Sequence, residues 1–228
     1  MGLLGFDPEL VATFINSVQT AYDSLISAIA TEMQTQFVNA MQDKWACNDA
    51  QVFFSQFKVV LDKLITESNN TFESVIESMN SAASNWAQNT GSTWSSKTFT
   101  RIDKTMDVSG IKENINGVRG VDPQATEIST KLMTIANNAI SALTSAQTAV
   151  DNCGFIGGSS ASSLTASLAK IKTNIENAVN QISGDCASAI EKTTQAYTNL
   201  DINISSAFGG GNGGTSAMDA AGNMSTLN

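Results

Sequence analysis

The chain has 228 residues, of which 42% are apolar and only 14% charged, and it carries a net charge of −9. That length allows one domain or two small ones with a buried core, and the low charged fraction leaves Ser, Thr, Asn and Gln to supply most of the polar surface. The acidic balance, with no cluster of Lys and Arg, excludes nucleic acid as an expected partner, because phosphate binding needs grouped cations.

The opening MGLLGFDPEL has neither a basic region nor a long apolar run. A cleavable signal peptide is therefore not expected, and an exported chain would be secreted or held at the cell surface without one. No window reads as a membrane-spanning helix. Both prolines follow aspartate, at Asp7-Pro8 and Asp122-Pro123. Asp is a favoured helix N-cap and Pro a favoured first helical residue, so each pair predicts the start of a long helix. The first apolar stripe runs Val11, Ile15, Val18, Tyr22, Leu25, Ile29, Met33, Phe37, Met41, with steps alternating between four and three. It fails at Trp45. A second stripe follows through Phe53, Phe57, Val60, Leu64, Phe72, Val75, Met79, Ala82 and Trp86.

After Asp122-Pro123 a third stripe runs from Ala125 through Leu132, Ile135, Ala139 and Leu143 to Val150, and stops in the Gly- and Ser-rich NCGFIGGSSAS. A fourth begins at Leu164 and ends through Ile190, Thr193, Tyr197 and Leu200. Asp7 and Asp122 lie 115 residues apart, Trp45 and Phe155 lie 110 apart, and Trp86 and Tyr197 lie 111 apart. This spacing predicts two copies of one helix–turn–helix unit. A lone hairpin of amphipathic helices leaves its stripe uncovered, so the expected fold is all-α, with two long hairpins packed as an elongated antiparallel four-helix bundle.

The expected divisions are a first hairpin over 7–90, a linker over 91–121, a second hairpin over 122–206 and a disordered Gly-rich tail over 207–228. The linker holds both arginines, and its SKTFTRID segment fits either a short strand or a loop. Helices of about 38 residues would run roughly 57 Å. A linker of this length reaches roughly 100 Å when extended, enough to return along the bundle and join antiparallel hairpins. That arrangement brings Trp45 toward Tyr197 and Asp201.

The layout resembles the substrates of type VII secretion systems, helical hairpins with Trp-x-Gly at the turn and Tyr-x-x-x-Asp or Glu beyond the second helix. YTNLD, Tyr197 to Asp201, matches the second motif. FIG, Phe155 to Gly157, is similar to the turn with Phe for Trp, and WAC, Trp45 to Cys47, is similar to it with Cys for Gly. Trp86 is followed by Thr90 instead of an acid, so only the second copy carries the export signal. The resemblance implies a tandem fusion of what the family builds from two chains, packed as an antiparallel four-helix bundle. It implies export, with a secretion ATPase or a chaperone as partner and a second helical-hairpin protein as a further candidate. Trp45, Cys47, Phe155, Gly157, Tyr197 and Asp201 are the recognition residues it implies.

Catalysis is not expected. Histidine is absent, which removes the commonest general base and metal ligand. Cys47, Cys153 and Cys186 form no Cys-x-x-Cys pair, so neither a metal nor a cofactor is expected and the thiols read as buried or free. Glu73 and Glu77 share one helix face and read as solvated. Two other functions stand beside export by this route: a subunit of an extracellular filament or translocator tip, and a membrane-acting toxin, for which no exposable apolar hairpin is found.

Overall fold

A computed structural model describes residues 4–209, and the Gly-rich segment from 210 onward lies outside them. The chain is mostly helical, built from four rods with two-residue strands at their joints. In chain order these are β1 (Gly5–Phe6), α1 (Pro8–Ile26), a π-helical stretch Ser27–Val38, α2 (Asn39–Met41), β2 (Trp45–Ala46), α3 (Asn48–Thr90), β3 (Gly120–Val121), α4 (Ala125–Thr148), a 3-10 turn Ala149–Asn152, β4 (Phe155–Ile156) and α5 (Gly158–Gly209). No helix among the described residues is long and apolar enough to cross a membrane.

Asp7 caps α1 as its sequence suggests. Its carboxylate accepts from the Glu9 and Leu10 N–H groups at 2.9 and 3.1 Å, with Pro8 at the first helical position; such a cap contributes about 1 kcal/mol. All nine residues of the first stripe are buried. The rod is continuous from Pro8 to Met41 but changes winding at Ser27. In the π-helical part, residues five apart come into line, and Ala28, Met33 and Val38 are all buried. The wider winding lets this rod face several neighbours, and it touches both α3 and α4.

Three local expectations need correction. Asp122 does not cap α4, which starts at Ala125 behind Gln124. The Asp122 N–H is taken by the Lys44 carbonyl at 2.6 Å and its carbonyl by the Ala125 N–H at 2.8 Å, so Pro123 and Gln124 form a turn ahead of the helix. The second stripe is out of phase in part: Val60 is 47% exposed, while Phe54, Leu61, Ile65 and Ile76 are buried. A helix of 43 residues drifts relative to a strict heptad, and the inward face moves with it. Finally, α5 runs to Gly209, past the expected start of the tail at 207, while SKTFTRID takes the loop of its two expected forms.

The joints fix how the halves meet. β1, which precedes α1, pairs antiparallel with β4 at the turn of the second half, Phe6 opposite Phe155. β3, which precedes α4, pairs antiparallel with β2 at the turn of the first half, Trp45 opposite Val121. Each half therefore lends its leading strand to the other's turn, and α1 and α4, which touch, run in opposite directions. At the first of these crossings Gly154 has φ +81°, and a Cβ there would stand 2.5 Å from the Val11 nitrogen and 2.8 Å from the Asp7 carbonyl oxygen.

Between Gly91 and Gly120 the chain returns as an extended strap along α1 and α3, held mainly by its backbone. Asn80 accepts from the Lys97 N–H at 2.8 Å and donates to its carbonyl at 2.7 Å. Gln19 does the same to Thr100 at 3.0 and 2.9 Å, and Gln34 to Asp107 at 2.8 and 2.8 Å. Around Ile102 the bonds close a ring: its N–H donates to the Tyr22 hydroxyl at 2.7 Å, that hydroxyl donates to Asn69 Oδ1 at 2.8 Å, and Asn69 Nδ2 donates to the Ile102 carbonyl at 3.1 Å. Asp62 and Lys58 hold the N–H and carbonyl of Met106 at 2.7 and 2.6 Å. An extended chain with no neighbouring strand must satisfy its polar groups somehow, and carboxamides from two helices do so here. Met106 and Ile111 of the strap itself are buried. The strap also takes up Glu73, one of the two carboxylates expected to be solvated, in an ion pair with Arg101 at 3.2 Å.

Two substitutions test these joints. Tyr22→Phe orphans the Ile102 N–H and Asn69 Oδ1, so denaturant melting should show a loss of about 1–3 kcal/mol, with faster tryptic cleavage at Lys97, Arg101 and Lys104. Gly154→Ala puts a side chain both into a left-handed backbone and against Val11, and should destabilise by more than about 1 kcal/mol, whereas Gly91→Ala, also at positive φ but in open space, should lose less in the same melt.

Candidate interaction site at the first turn

The first turn is built from an aromatic cluster outward. Trp45 stands 5.2 Å from Phe53 and 6.0 Å from Phe54, ring centre to centre, and Phe37 packs on Phe54 and Phe57 at 5.5 and 5.1 Å. Burying rings of this size contributes about 1.5–3 kcal/mol each, which explains a Trp where the first helix ends: it closes the end of the core. Its side chain is 2% exposed and its Nε1–H has no partner. Trp45, a recognition residue that the resemblance implies, is thus not on the surface; the ring is inside, and any recognition it serves runs through the turn it holds.

Cys47 follows in extended backbone, φ −173° and ψ 175°, a conformation open to any residue. Gly157, its counterpart in the second turn, has φ +68°, where glycine is strongly favoured. This difference gives the physical basis for Cys at one turn and Gly at the other. The Cys47 thiol sits beside the Tyr197 hydroxyl. Burial first, then Cys47 and the nearby Asp49 carboxylate, pushes the Tyr197 phenol up to about 12.

Tyr197, Thr198 and Asp201 line an open cleft of about 730 Å³, together with Lys44, Pro123, Ile115, Val118 and Arg119. Lys44 Nζ donates to Asp122 Oδ2 at 2.9 Å and Gln124 Oε1 at 2.7 Å. The Gln124 N–H, and after it Lys44, holds the Asp122 carboxyl below its usual value. Asp201 is exposed, as is every described residue from 201 to 206.

The six residues that the resemblance implies for recognition divide between the two ends. Trp45, Cys47, Tyr197 and Asp201 share the first turn. Phe155, 8% exposed, pairs with Phe6 at the start of α1, and Phe6 stacks on Trp86 at 6.5 Å. Gly157 is exposed beside them in sequence. The second end is thus an apolar closure without a Tyr or an acid in the equivalent place.

The stretch from Ile115 to Arg119 is the part of the cleft lining that the stripes did not reveal. Ile115 and Val118 exchange both backbone hydrogen bonds, at 2.8 and 2.9 Å, around Asn116 and Gly117, whose φ values are 52° and 83°. This is a two-residue hairpin of the type that Asn-Gly favours, and Asn-Gly between Ile and Val was its signal in the sequence. Arg119 and Glu113 pair across its base. Among the described residues no group of three or more His, Cys, Asp or Glu could hold a metal ion. All three cysteines are free, and burial pushes the Cys186 thiol up to about 12, far from a reactive thiolate.

Comparison with protein families, with curated proteins and with solved structures returns no match.

The site has a measurable alkaline signature. A phenol whose folded value lies above its unfolded value of 10.0 stabilises the fold fully below about pH 10, and that contribution is lost as pH rises toward about 12. Melting temperature should therefore fall across that window, together with late tyrosinate absorbance. Tyr197→Phe should flatten part of the fall, the remainder coming from Cys186, raised from 9.0, and from Tyr22, which burial also raises.

Proposed function

We propose that this protein is a substrate of a type VII secretion system, a tandem pair of helical hairpins forming one antiparallel four-helix bundle, and that it acts by binding other proteins. The single observation that carries the reading is the position of Tyr197 and Asp201. The Tyr-x-x-x-Asp of the second half lies against the Trp45–Cys47 turn of the first, with Tyr197 beside Cys47. A composite of one hairpin's turn and the other's carboxy-terminal motif is what the resemblance requires, and the reciprocal strand pairing supports the antiparallel packing that produces it. The recognising partner is a secretion ATPase or an escorting chaperone, which reads Tyr197 and Asp201 on a frame set by Trp45. No catalytic step is assigned.

A subunit of an extracellular filament or translocator tip is the second reading. It draws support from Val52, Val59 and Val60, exposed at 48, 68 and 47% along α3. Sedimentation separates the two, since lateral assembly through those valines would grow with concentration.

Export is tested in cells carrying such a system. Tyr197→Ala and Asp201→Ala should retain helical circular dichroism yet remain in the cell pellet, while Trp45→Ala should lose thermal stability first. Normal export of both Tyr197→Ala and Asp201→Ala would remove the reading.

A further inference from the structure

We propose that the Asn116-Gly117 hairpin is a third part of the recognition surface, and that the cleft between it and α5 receives a protein segment presenting a basic side chain next to an aliphatic one. The inference rests on the export reading and names the partner chemistry of that same site.

The hairpin is a tight turn, tied across its base by the Arg119–Glu113 pair and joined directly to β3, which is paired to the Trp45 turn. It presents Val118 at 68% exposure. A lone exposed valine is ordinary. This one lines the same cleft as Tyr197 and Asp201. Ile115, Val121 and Pro123 line it as well, so the cleft carries several apolar groups beside its charges.

Its charges are unequal. Lys44 is engaged by Asp122, and Arg119 by Glu113. Asp43 and Asp201 also line the cleft, and neither has a cation partner among the ion pairs of the described residues. In a chain of net charge −9, the charge left unpaired in this cleft is negative, and complementarity selects a cation. An exposed valine on a closed two-residue hairpin, beside an unpaired carboxylate, fits a Lys or Arg flanked by Val, Leu or Ile, because a preorganised turn loses little entropy on binding.

The experiment uses the full chain in cells with the secretion system. Export is measured for Val118→Asp, Val118→Thr, Val118→Leu and Asp201→Lys, with Tyr197→Ala as reference, and a photo-crosslinking residue at 118 identifies the contacted segment. Val118→Asp and Asp201→Lys should each lower the secreted fraction roughly tenfold. Val118→Thr, similar in shape and less apolar, should lower it less, and Val118→Leu should leave it unchanged, all with unaltered helical content. The crosslinked peptide should contain Lys or Arg beside an aliphatic residue. Normal export of Val118→Asp with loss for Tyr197→Ala would overturn the hairpin's role and leave the export reading standing. Normal export of both would overturn the two together. A crosslinked segment that is acidic or wholly polar would overturn the partner chemistry alone.

Discussion

The structure depends on a reciprocal exchange of leading strands. Two residues ahead of each half, Gly5–Phe6 and Gly120–Val121, pair with the turn of the other half. The hydrogen bonds are few, and each contributes modestly, but they set direction and register for rods that side-chain packing alone would let slide. Long amphipathic helices can slip by a turn with little loss of apolar contact, because their stripes nearly repeat. A paired strand at each end removes that freedom. It explains why the turns are the most constrained places in the chain: Gly154 tolerates no Cβ, and the Asp122 N–H bonds back to Lys44.

The strap follows from the same constraint. If the second half must begin at the first turn, the chain leaving α3 at its far end has to travel back along a helix of 43 residues, about 65 Å. An unaccompanied extended segment would leave its backbone groups to water. Here Gln19, Gln34 and Asn80 each pair with both backbone groups of a strap residue as a neighbouring strand would, and Asn69 and Tyr22 share Ile102. The contacts are to main chain, so the strap is located by residues spread over two helices, and its hairpin arrives beside α5 in a fixed place. The low charged fraction of the chain acquires a physical role: carboxamides can both donate and accept, which lysines and glutamates singly cannot.

Much of the helical content was legible because its signals were local or periodic. The Asp7-Pro8 start, the nine buried residues of the first stripe and the breaks at Trp45 and Phe155 all follow from spacing and residue type. The drift of the α3 stripe was not, since a phase that shifts over many turns depends on what lies opposite. Nor were the short strands, whose partners are distant in sequence, or the strap contacts, which pair side chains with backbone and leave no pattern. Of the candidate site, the placement of Tyr197 and Asp201 beside the first turn was legible from the antiparallel reading of the linker. The burial of Trp45 was a matter of packing. Val118 was within reach, since Asn-Gly between Ile and Val is a local hairpin signal.

The two ends of the molecule follow one plan of paired strands and differ in one chemically telling way. At one end Gly157 keeps a left-handed backbone, and Phe6, Trp86 and Phe155 close an apolar contact. At the other the same place in the turn is extended, so a side chain is permitted, and Cys47 uses it to face Tyr197. Trp86 and Tyr197 hold corresponding places in the two halves, one with an indole against aromatic neighbours and one with a phenol against a thiol. The acid four residues later is present only beside the phenol, where the equivalent of Asp201 is Thr90. Nothing in helix packing demands that division, because the apolar version closes its end well. A fold that keeps a closed aromatic plug at one end, and an exposed carboxylate beside a half-buried phenol at the other, has unequal ends in a way that stability does not require.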